Sequence, residues 1–464
     1  MNRTAVINIV GLSDSCLGPA TPRLNQFISR NAKSHITPAF PAVTCTAQSN
    51  YLTGRTPAKH GIVGNGWYHR ELAEVQFWKQ SNHVVHGRKI WDDLRAQDPG
   101  FTCAKLFWWY NMYSTADYSI TPRPMYPADG RKVFDIYTQP FSIRFEIKKE
   151  LGEFPFPAFW GPAAGAKSKF APDEVSKWIA GSAKWIEQKY RPTLSLIYLP
   201  HLDYNLQRLG PNHSQIQDDY GRIDAIAGDL IAFFESRGVQ SVILSEYGIS
   251  AVSNPLHLNR LFREKGWLTI KDELGLELLD CGASKAFAVA DHQIAHIYVN
   301  DLSILNQVRD TVGKINGVEQ ILGLEDKKKF GIDHERAGDL IAIAGERSWF
   351  TYYYWEDDTK APDFARTVDI HRKPGYDPVE LFIDPKINLP LAKVALKLLR
   401  KKLGFRVLMD VIPLDATLVR GSHGRLPSST KEYPILVAPK KLLPDKAIDS
   451  TAIYSTLKNA ILNS

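Results

Sequence analysis

The sequence is poor in cysteine and has no long apolar run. Its 464 residues include 4 cysteines, which stand far apart at Cys16, Cys45, Cys103 and Cys281 without a CxxC pair. This spacing excludes the dense disulfide framework of small secreted proteins and is typical of a reducing compartment. No stretch reaches the roughly 18 to 20 apolar residues of a membrane-spanning helix. The short apolar run at the N-terminus lacks the length and cleavage site of a secretory signal, so we expect a cytoplasmic location and no membrane partner.

The sequence also lacks a strong excess of charge of one sign. Lys and Arg number 57 against 50 Asp and Glu, a formal net charge of +7. The basic residues are dispersed, and DKKKF and RKKLGF are the only short clusters. A nucleic-acid-binding protein concentrates its basic residues on one face, so this pattern favours a solvated surface and predicts no nucleic-acid polymer as a partner. We find no internal repeat and no low-complexity segment.

Short apolar runs alternate with amphipathic stretches. The runs at 5–10, 193–200 and 240–248 are nearly continuous, which is typical of strands that are buried on both faces. Between the last two, apolar residues recur at helical spacing from Ile216 to Phe233, and Gly238 follows. Strand, helix and strand in this order predict an α/β protein with a parallel sheet. Ligands of such sheets bind beyond the carboxyl ends of the strands.

A second type of pattern begins near residue 256. A strand, a helix and two further strands are predicted between 295 and 345, and an aromatic, charged loop is predicted over 348–385. The stretch 391–404 is predicted to be a helix. We therefore expect an α/β core domain of residues 1–255 and 400–464, with a smaller α+β insert, or cap, of residues 256–399 that carries the aromatic loop.

Polar side chains follow the apolar runs where the strands are predicted to end. They provide a hydroxyl, two carboxylates and an imidazole at one edge of the sheet, which is the inventory of a hydrolytic metal site for phosphate-like anions. The candidates are Thr44, at a predicted helix N-terminus, and Asp203, Gln207, Glu246, Tyr247 and His423.

These residues lie in segments that resemble the alkaline phosphatase superfamily, specifically its nucleotide pyrophosphatase/phosphodiesterase-like branch. The segments are VGLSDSCLGPATPRLNQF, PAVTCTAQSNYLTGRTPAKHGIVGNGWY, YLPHLDYNLQRLGP, LSEYGI and GSHGR. The resemblance implies a three-layer α/β/α core of alkaline phosphatase type. It also implies that Thr44 is in the position of the nucleophile and that Asn65 contacts a phosphoryl oxygen.

The departures from the family pattern concern the metal site. The resemblance implies two zinc ions held by three Asp and three His, but Val10, Gln207 and Tyr247 stand where an Asp and two His are expected. Glu246 replaces a further Asp. The remaining candidate ligands are Asp203, Glu246 and His423, so the resemblance predicts a divalent metal, zinc as the candidate, in one site or none rather than two.

Other residues could restore the lost ligands. Asp14 lies just past the first strand, and Asp291, His292 and His296 form a cluster in ADHQIAH. If His292 and His296 lie on a strand, they are about 13 Å apart, and the alternative is that this cluster consists of satisfied polar residues at a domain junction. Asp357, Asp358, Asp369 and His371 are interpreted as structural residues.

The remaining candidates also have structural alternatives. Thr44 could be a helix N-cap, and Asn65 could form a turn with Gly66. Asp203 and His423 could form a buried ion pair, and Tyr247 could be a ligand, an acid or a plug. The tryptophans and tyrosines are core residues by default, although some could line a pocket for a flat ligand.

Two functions are consistent with the sequence. One is a phosphodiesterase or nucleotide-pyrophosphatase-like hydrolase of phosphate esters that uses Thr44 and an altered metal site. The other is a catalytically degenerate relative that binds or hands on a small molecule. The expected partner is a small phosphate ester or another anionic or aromatic ligand.

Overall fold

The structure is a computed structural model that describes residues 1–164, 173–444 and 446–462. The strands are β1 Thr4–Ile9, β2 Ala32–Thr37, β3 Gly66–His69, β4 Glu74–Phe77, β5 Cys103–Leu106, β6 Tyr118–Pro122, β7 Ile136–Gln139, β8 Leu194–Leu199, β9 Gln240–Leu244, β10 Ser250–Ala251, β11 Asn254–Leu256, β12 Thr269–Glu273, β13 Leu276–Asp280, β14 Ala286–Asp291, β15 Ile294–Val299, β16 Val318–Leu322, β17 Leu340–Ala344, β18 Ser348–Phe350, β19 Gly421–Ser422, β20 Ile435–Ala438 and β21 Ile448–Asp449. The α-helices are α1 Pro22–Arg30, α2 Thr44–Thr53, α3 Pro57–His60, α4 Ile90–Gln97, α5 Ile143–Leu151, α6 Glu174–Tyr190, α7 His201–Leu209, α8 Ile216–Glu235, α9 Leu258–Glu264, α10 Leu305–Gly313, α11 Leu324–Lys329, α12 Pro390–Lys402 and α13 Ile453–Leu462.

The core is one large mixed sheet in the order β21-β2-β20-β9-β1-β8-β5-β6-β7. Its centre is parallel, because β1 pairs in parallel with both β8 and β9, and β5 pairs in parallel with β8 and β6. All residues of β1 and β8 are buried, which explains why their sequences are continuously apolar rather than alternating. The predicted strands at 5–10, 193–200 and 240–248 are confirmed, with ends shifted by one to four residues.

Two groups of helices cover the sheet. Helices α1 and α6 both contact α8, while α6 also contacts β8 and α8 also contacts β9. Helices α2, α4 and α13 form the other group of contacts. The apolar side chains of both groups join those of the sheet in one core. The predicted three-layer α/β/α architecture is therefore confirmed.

A second sheet lies within the predicted insert. It has four strands in the order β14-β15-β17-β16, and all of its pairings are antiparallel. The strand, helix and two strands expected between 295 and 345 correspond to β15, α10, β16 and β17, with the short helix α11 between the last two strands. The division into domains stays a prediction, and helix α12 runs across the expected boundary at 399/400.

The aromatic segment 348–385 consists of the short strand β18, turns and 3-10 helices. Its aromatic run is part of a buried core shared with the second sheet. The rings of Tyr352, Tyr353, Tyr354 and Trp355 are at most 1% exposed. The segment is therefore a long ordered loop that packs over the core, as the sequence predicted.

All four cysteines are buried and free. Across the described ranges, no helix has both the length and the apolar character required to cross a membrane.

The backbone after β9 is tightly packed at Gly248. A Cβ atom at this position would lie 2.0 Å from the carbonyl oxygen of Glu432, a backbone atom that cannot move without distorting its own segment. We expect Gly248→Ala to lower the free energy of unfolding by roughly 2 kcal/mol or more, measured by urea denaturation. The matched control is Gly18→Ala, because a Cβ at Gly18 meets no atom within 4 Å. Equal stability of the two variants would contradict this packing argument.

Candidate functional site

The candidate residues meet beyond the carboxyl ends of β1, β8 and β9. Asp203 lies in the first turn of α7, which follows β8. Glu246 and Tyr247 follow the end of β9, and Thr44 begins α2. This is the edge of a parallel sheet where ligands bind, so the fold brings together residues that are 200 positions apart.

Thr44 is the first residue of helix α2, and Val43 is the N-cap. The alternative in which Thr44 is itself an N-cap is therefore wrong. Its hydroxyl oxygen lies 3.1 Å from the hydroxyl oxygen of Tyr247. The Thr44 hydroxyl also lies near the Glu246 carboxyl group and lowers its pKa, against the larger raising effect of burial. Thr44 is thus placed between a carboxyl group and a phenol.

A chain of hydrogen bonds starts at Tyr247. Its hydroxyl donates to Asp203 Oδ1 at 3.3 Å, and the other carboxylate oxygen accepts from Gln207 Nε2 at 2.7 Å. The carbonyl oxygen of Gln207 accepts from the Tyr376 hydroxyl at 3.0 Å. Gln207 therefore turns its amide nitrogen, not its oxygen, toward Asp203.

Four aromatic rings form a continuous stack beside this chain. The rings of Tyr247 and His423 are 3.6 Å apart, those of His423 and His292 are 3.7 Å apart, and those of His292 and Tyr376 are 3.6 Å apart. Because Tyr247 and Tyr376 also end the hydrogen-bond chain, stack and chain form a closed ring of contacts. Burial lowers the pKa of both histidines well below the usual value, so both imidazoles are neutral in the stack.

The two carboxyl groups are protonated more readily than ordinary carboxylates. Burial raises the pKa of Asp203 to about 7, although Gln207 and Tyr247 donate hydrogen bonds to it. Burial likewise raises the pKa of Glu246 to about 8. The physical cause is the loss of hydration of the charged form, with no cation close enough to offset it.

Glu246 is held by two amides that the sequence analysis did not identify. Asn8 and Gln48 each donate to Glu246 Oε1 at 2.6 Å, while Oε2 has no partner. The carbonyl oxygen of Gln48 accepts from the backbone N–H of Trp109 at 2.7 Å. A polar residue inside the apolar run AVINIV is a signal that could have identified Asn8.

Asn65 joins the site to the second sheet. Its side-chain oxygen accepts from the N–H of Cys45 at 3.1 Å, and its amide nitrogen donates to Asp291 Oδ1 at 3.0 Å. Asp291 also accepts from the backbone N–H of Asn65 and from His292 Nδ1. These contacts agree with the interpretation of Asp291 and His292 as satisfied polar residues at a junction, although His292 also joins the ring stack.

Two other candidates lie outside this arrangement. Asp14 is partly exposed and pairs with Lys33 and His35, so the structure does not turn it toward the site as proposed. His296 lies on β15, and its two ring nitrogens contact the carbonyl of Val63 and the N–H of Gly338. The expectation that ADHQIAH includes a strand is confirmed.

The residues of the aromatic segment have local partners. Asp357 caps a short 3-10 helix, and Asp358 accepts from Trp355 Nε1. His371 contacts the carbonyl oxygen of Phe77 at 3.3 Å. These contacts are structural.

An aromatic cleft opens above Thr44, Asp203 and Tyr247, which form part of its floor. Its empty space is about 500 Å³, a figure that includes the open solvent at its mouth. The described residues that line it include neither Lys nor Arg. The walls are predominantly aromatic, with the rings of Trp78, Trp109, Phe159, Trp160, Tyr198, Tyr204 and Tyr376.

The sequence profile of the Type I phosphodiesterase / nucleotide pyrophosphatase family matches residues 4–377. The chain belongs to this family. One curated relative is an uncharacterized pyrophosphatase/phosphodiesterase of Schizosaccharomyces pombe, 23% identical over 244 residues. That match covers 50% of this chain and 42% of the relative, so the chain aligns with less than half of the relative's length.

Two solved structures cover nearly the whole chain. Murine ectonucleotide pyrophosphatase / phosphodiesterase 5, an inactive variant in complex with AMP, has a TM-score of 0.59 at 14% identity and covers 99% of this chain and 95% of its own. Phosphonoacetate hydrolase from Sinorhizobium meliloti 1021, in complex with phosphonoformate, has a TM-score of 0.62 at 14% identity, covering 99% and 96%. At this identity the likeness shows the shared fold.

The side chains at this site do not fit the pair of zinc ions that the family pattern implies. Members of the family typically depend on a divalent metal, and zinc requires about four His, Cys or carboxylate ligands. Here His423 Nε2 lies 3.9 Å from Asp203 Oδ1, and the Gln207 oxygen is already bonded to Tyr376. Over residues 1–164, 173–444 and 446–462, no group of three His, Cys, Asp or Glu could hold a metal ion. The metal role of Asp203, Glu246 and His423 stays a prediction.

The raised pKa of Glu246 makes stability depend on pH. Between the ordinary value of 4.5 and about 8, the unfolded chain loses this proton while the folded chain keeps it, so the free energy of unfolding falls as the pH rises. Glu246→Gln keeps the shape but does not titrate. We expect the variant to gain stability relative to the parent from pH 5 to pH 8, at about 1.4 kcal/mol per unit of pKa shift.

Thermal unfolding of both proteins at several pH values measures this difference. The control is Glu71→Gln, the same substitution at an exposed glutamate. A constant difference for Glu246→Gln would contradict the protonated state of the buried carboxyl.

Proposed function

We propose that this chain binds an uncharged, planar aromatic small molecule in the aromatic cleft and does not transfer phosphoryl groups by a two-metal route. The observation that carries the proposal is the position of the Tyr247 hydroxyl between Thr44 and Asp203. In the family pattern this position belongs to a metal-binding histidine. The Tyr247 phenol is held by two partners and is stacked on His423. It supplies hydrogen bonds, whereas a histidine at this position would bind a metal ion that acts as a Lewis acid.

The electrostatics of the floor favour an uncharged ligand. Asp203 and Glu246 have pKa values raised to about 7 and about 8, and the described lining has no basic side chain. Beside these groups a phosphate dianion would lose its hydration and gain no cation from the described lining residues, which is unfavourable. The neutral carboxyl and hydroxyl groups can instead donate and accept hydrogen bonds at the edge of a flat ligand.

The walls favour a flat ligand. Trp160 lies between Tyr204 and Tyr376 with ring centroids 5.8 and 5.7 Å away, and Trp78 and Trp109 are 4.7 Å apart. Aromatic faces at such distances provide stacking and large apolar contact for a planar molecule. Trp160 is only half-buried, so its ring is accessible from the cleft.

Paired ligands test this function. We expect planar aromatic compounds such as adenosine to quench tryptophan fluorescence and raise the melting temperature, and their phosphate esters, such as AMP, to bind at least tenfold more weakly. Trp160→Leu should weaken binding about tenfold through loss of stacking. Phe141→Leu, at a 60% exposed ring outside the cleft lining, is the control. Binding of the phosphate esters alone would contradict the proposal.

Hydrolysis of phosphate esters with Thr44 as the nucleophile is the second candidate function. Family membership and the position of the Thr44 hydroxyl at the cleft floor beside Glu246 favour it. It predicts turnover of bis-(p-nitrophenyl) phosphate that Thr44→Ala abolishes, and a bound divalent metal that is lost in Asp203→Ala and His423→Ala.

Elemental analysis of protein purified without chelator, beside the turnover assay, distinguishes the two candidates. Our proposal predicts substoichiometric zinc and no turnover that depends on Thr44. Stoichiometric zinc together with Thr44-dependent turnover would establish the hydrolase instead.

A further inference from the structure

Helix α12 and the segment that follows it expose an unusual number of large apolar side chains. We call residues 386–408 the α12 arm. Structurally, none of the 13 residues of α12 is buried. Leu391 is 81% exposed and Leu403 is 67% exposed. The other apolar residues of the arm that are about half or more exposed are Leu389, Leu396, Leu398, Leu399, Phe405 and Leu408.

Two lysines of the helix, Lys393 and Lys397, contact the segment that follows it. Lys393 Nζ donates to the carbonyl of Asp410 at 2.8 Å, and Lys397 Nζ donates to the carbonyl of Leu408 at 2.7 Å. Both lysines also pair with the Asp410 carboxylate. Surface helices of globular proteins bury their apolar stripe, whereas α12 leaves most of its leucines exposed.

The arm also carries the entire net charge of the chain. Residues 386–408 contain seven Lys and Arg and no Asp or Glu, while the whole chain has a formal net charge of +7. Subtracting seven from seven leaves the remaining residues with no net charge. Arg400, Lys401 and Lys402 at the end of α12 are all exposed. The sequence analysis interpreted this cluster as a solvated surface, and it did not anticipate the exposed leucines beside it.

We propose that the α12 arm docks on an anionic lipid surface. An interfacial helix inserts an apolar face into the boundary between headgroups and acyl chains, while basic residues contact anionic headgroups. With 13 residues the helix is about 20 Å long, which allows several leucines to insert along its length. A second copy of the chain is a poor occupant, because the exposed cations Arg400, Lys401 and Lys402 of two arms would repel one another.

The sequence analysis predicted no membrane partner because the chain has no membrane-spanning segment. Docking of the arm on a lipid surface does not require such a segment. The arm would lie on the membrane rather than cross it. The arm does not include any residue that lines the aromatic cleft, so lipid docking does not depend on which ligand the cleft binds.

Vesicle flotation with the full chain tests the inference. We expect binding to vesicles that contain phosphatidylglycerol, no measurable binding to pure phosphatidylcholine, and release when the salt concentration is raised. The double variant Leu396→Asp/Leu399→Asp should bind at least tenfold more weakly. Each of Arg400→Gln, Lys401→Gln and Lys402→Gln should weaken binding roughly fivefold.

The control is Leu302→Asp, at a 66% exposed leucine outside the arm, which should leave vesicle binding unchanged. Circular dichroism and melting temperature check that each variant is folded. Absence of binding to phosphatidylglycerol vesicles, or equal binding by the double variant, would overturn the inference. A dimer in light scattering that the double variant converts to a monomer, without vesicle binding, would overturn it in favour of a second copy.

Discussion

The site depends on one shared hydroxyl group, that of Tyr247, which lies between Thr44 and Asp203. Through Asp203 it is connected to Gln207, and through its ring it stacks on His423. These contacts orient the floor of the cleft and provide the carboxyl group with donors that water would otherwise supply. Because the floor is buried, the charged forms of Asp203 and Glu246 are disfavoured. Hydrogen bonds rather than ion pairs therefore hold the side chains of the floor together. The aromatic walls then determine which molecules can approach it.

The fold of this chain matches that of its family, whereas the residues of the site differ from the family pattern. The sheet order, the parallel centre and the flanking helices belong to a family that typically depends on divalent metals. Beyond the strand ends, however, the chain has Val10, Gln207 and Tyr247 where the family pattern has metal ligands. The same fold therefore places hydrogen-bonding groups and aromatic rings at this site. Fold membership alone therefore does not determine the chemistry of this chain. The donor set at the strand ends is the more direct guide.

Much of the core could be predicted from the sequence, because continuous apolar runs and a helical spacing identify buried parallel strands and the helix between them. The motif residues could also be placed at one edge of the sheet. The ring stack could not be predicted, since it joins Tyr247, His292, Tyr376 and His423 from four distant segments. Neither the role of Gln207 nor the orientation of α12 could be predicted, because helical spacing identifies an apolar face but not the side on which it lies. Asn8 is an intermediate case, since its polarity within an apolar strand is visible but its partner is not.

The closed ring of contacts determines which single substitutions the site can tolerate. A change of Tyr247 to histidine would take the hydroxyl away from Asp203, and a change of Gln207 to histidine would leave the Tyr376 hydroxyl without its acceptor. A carboxylate at Val10, which is completely buried, would add another buried acid to a site where burial already raises the pKa values of Asp203 and Glu246. Each single change toward the family pattern is thus destabilising before any ligand set is complete. The arrangement therefore resists single substitutions, and a bound metal could offset their cost only after several ligands had been introduced together.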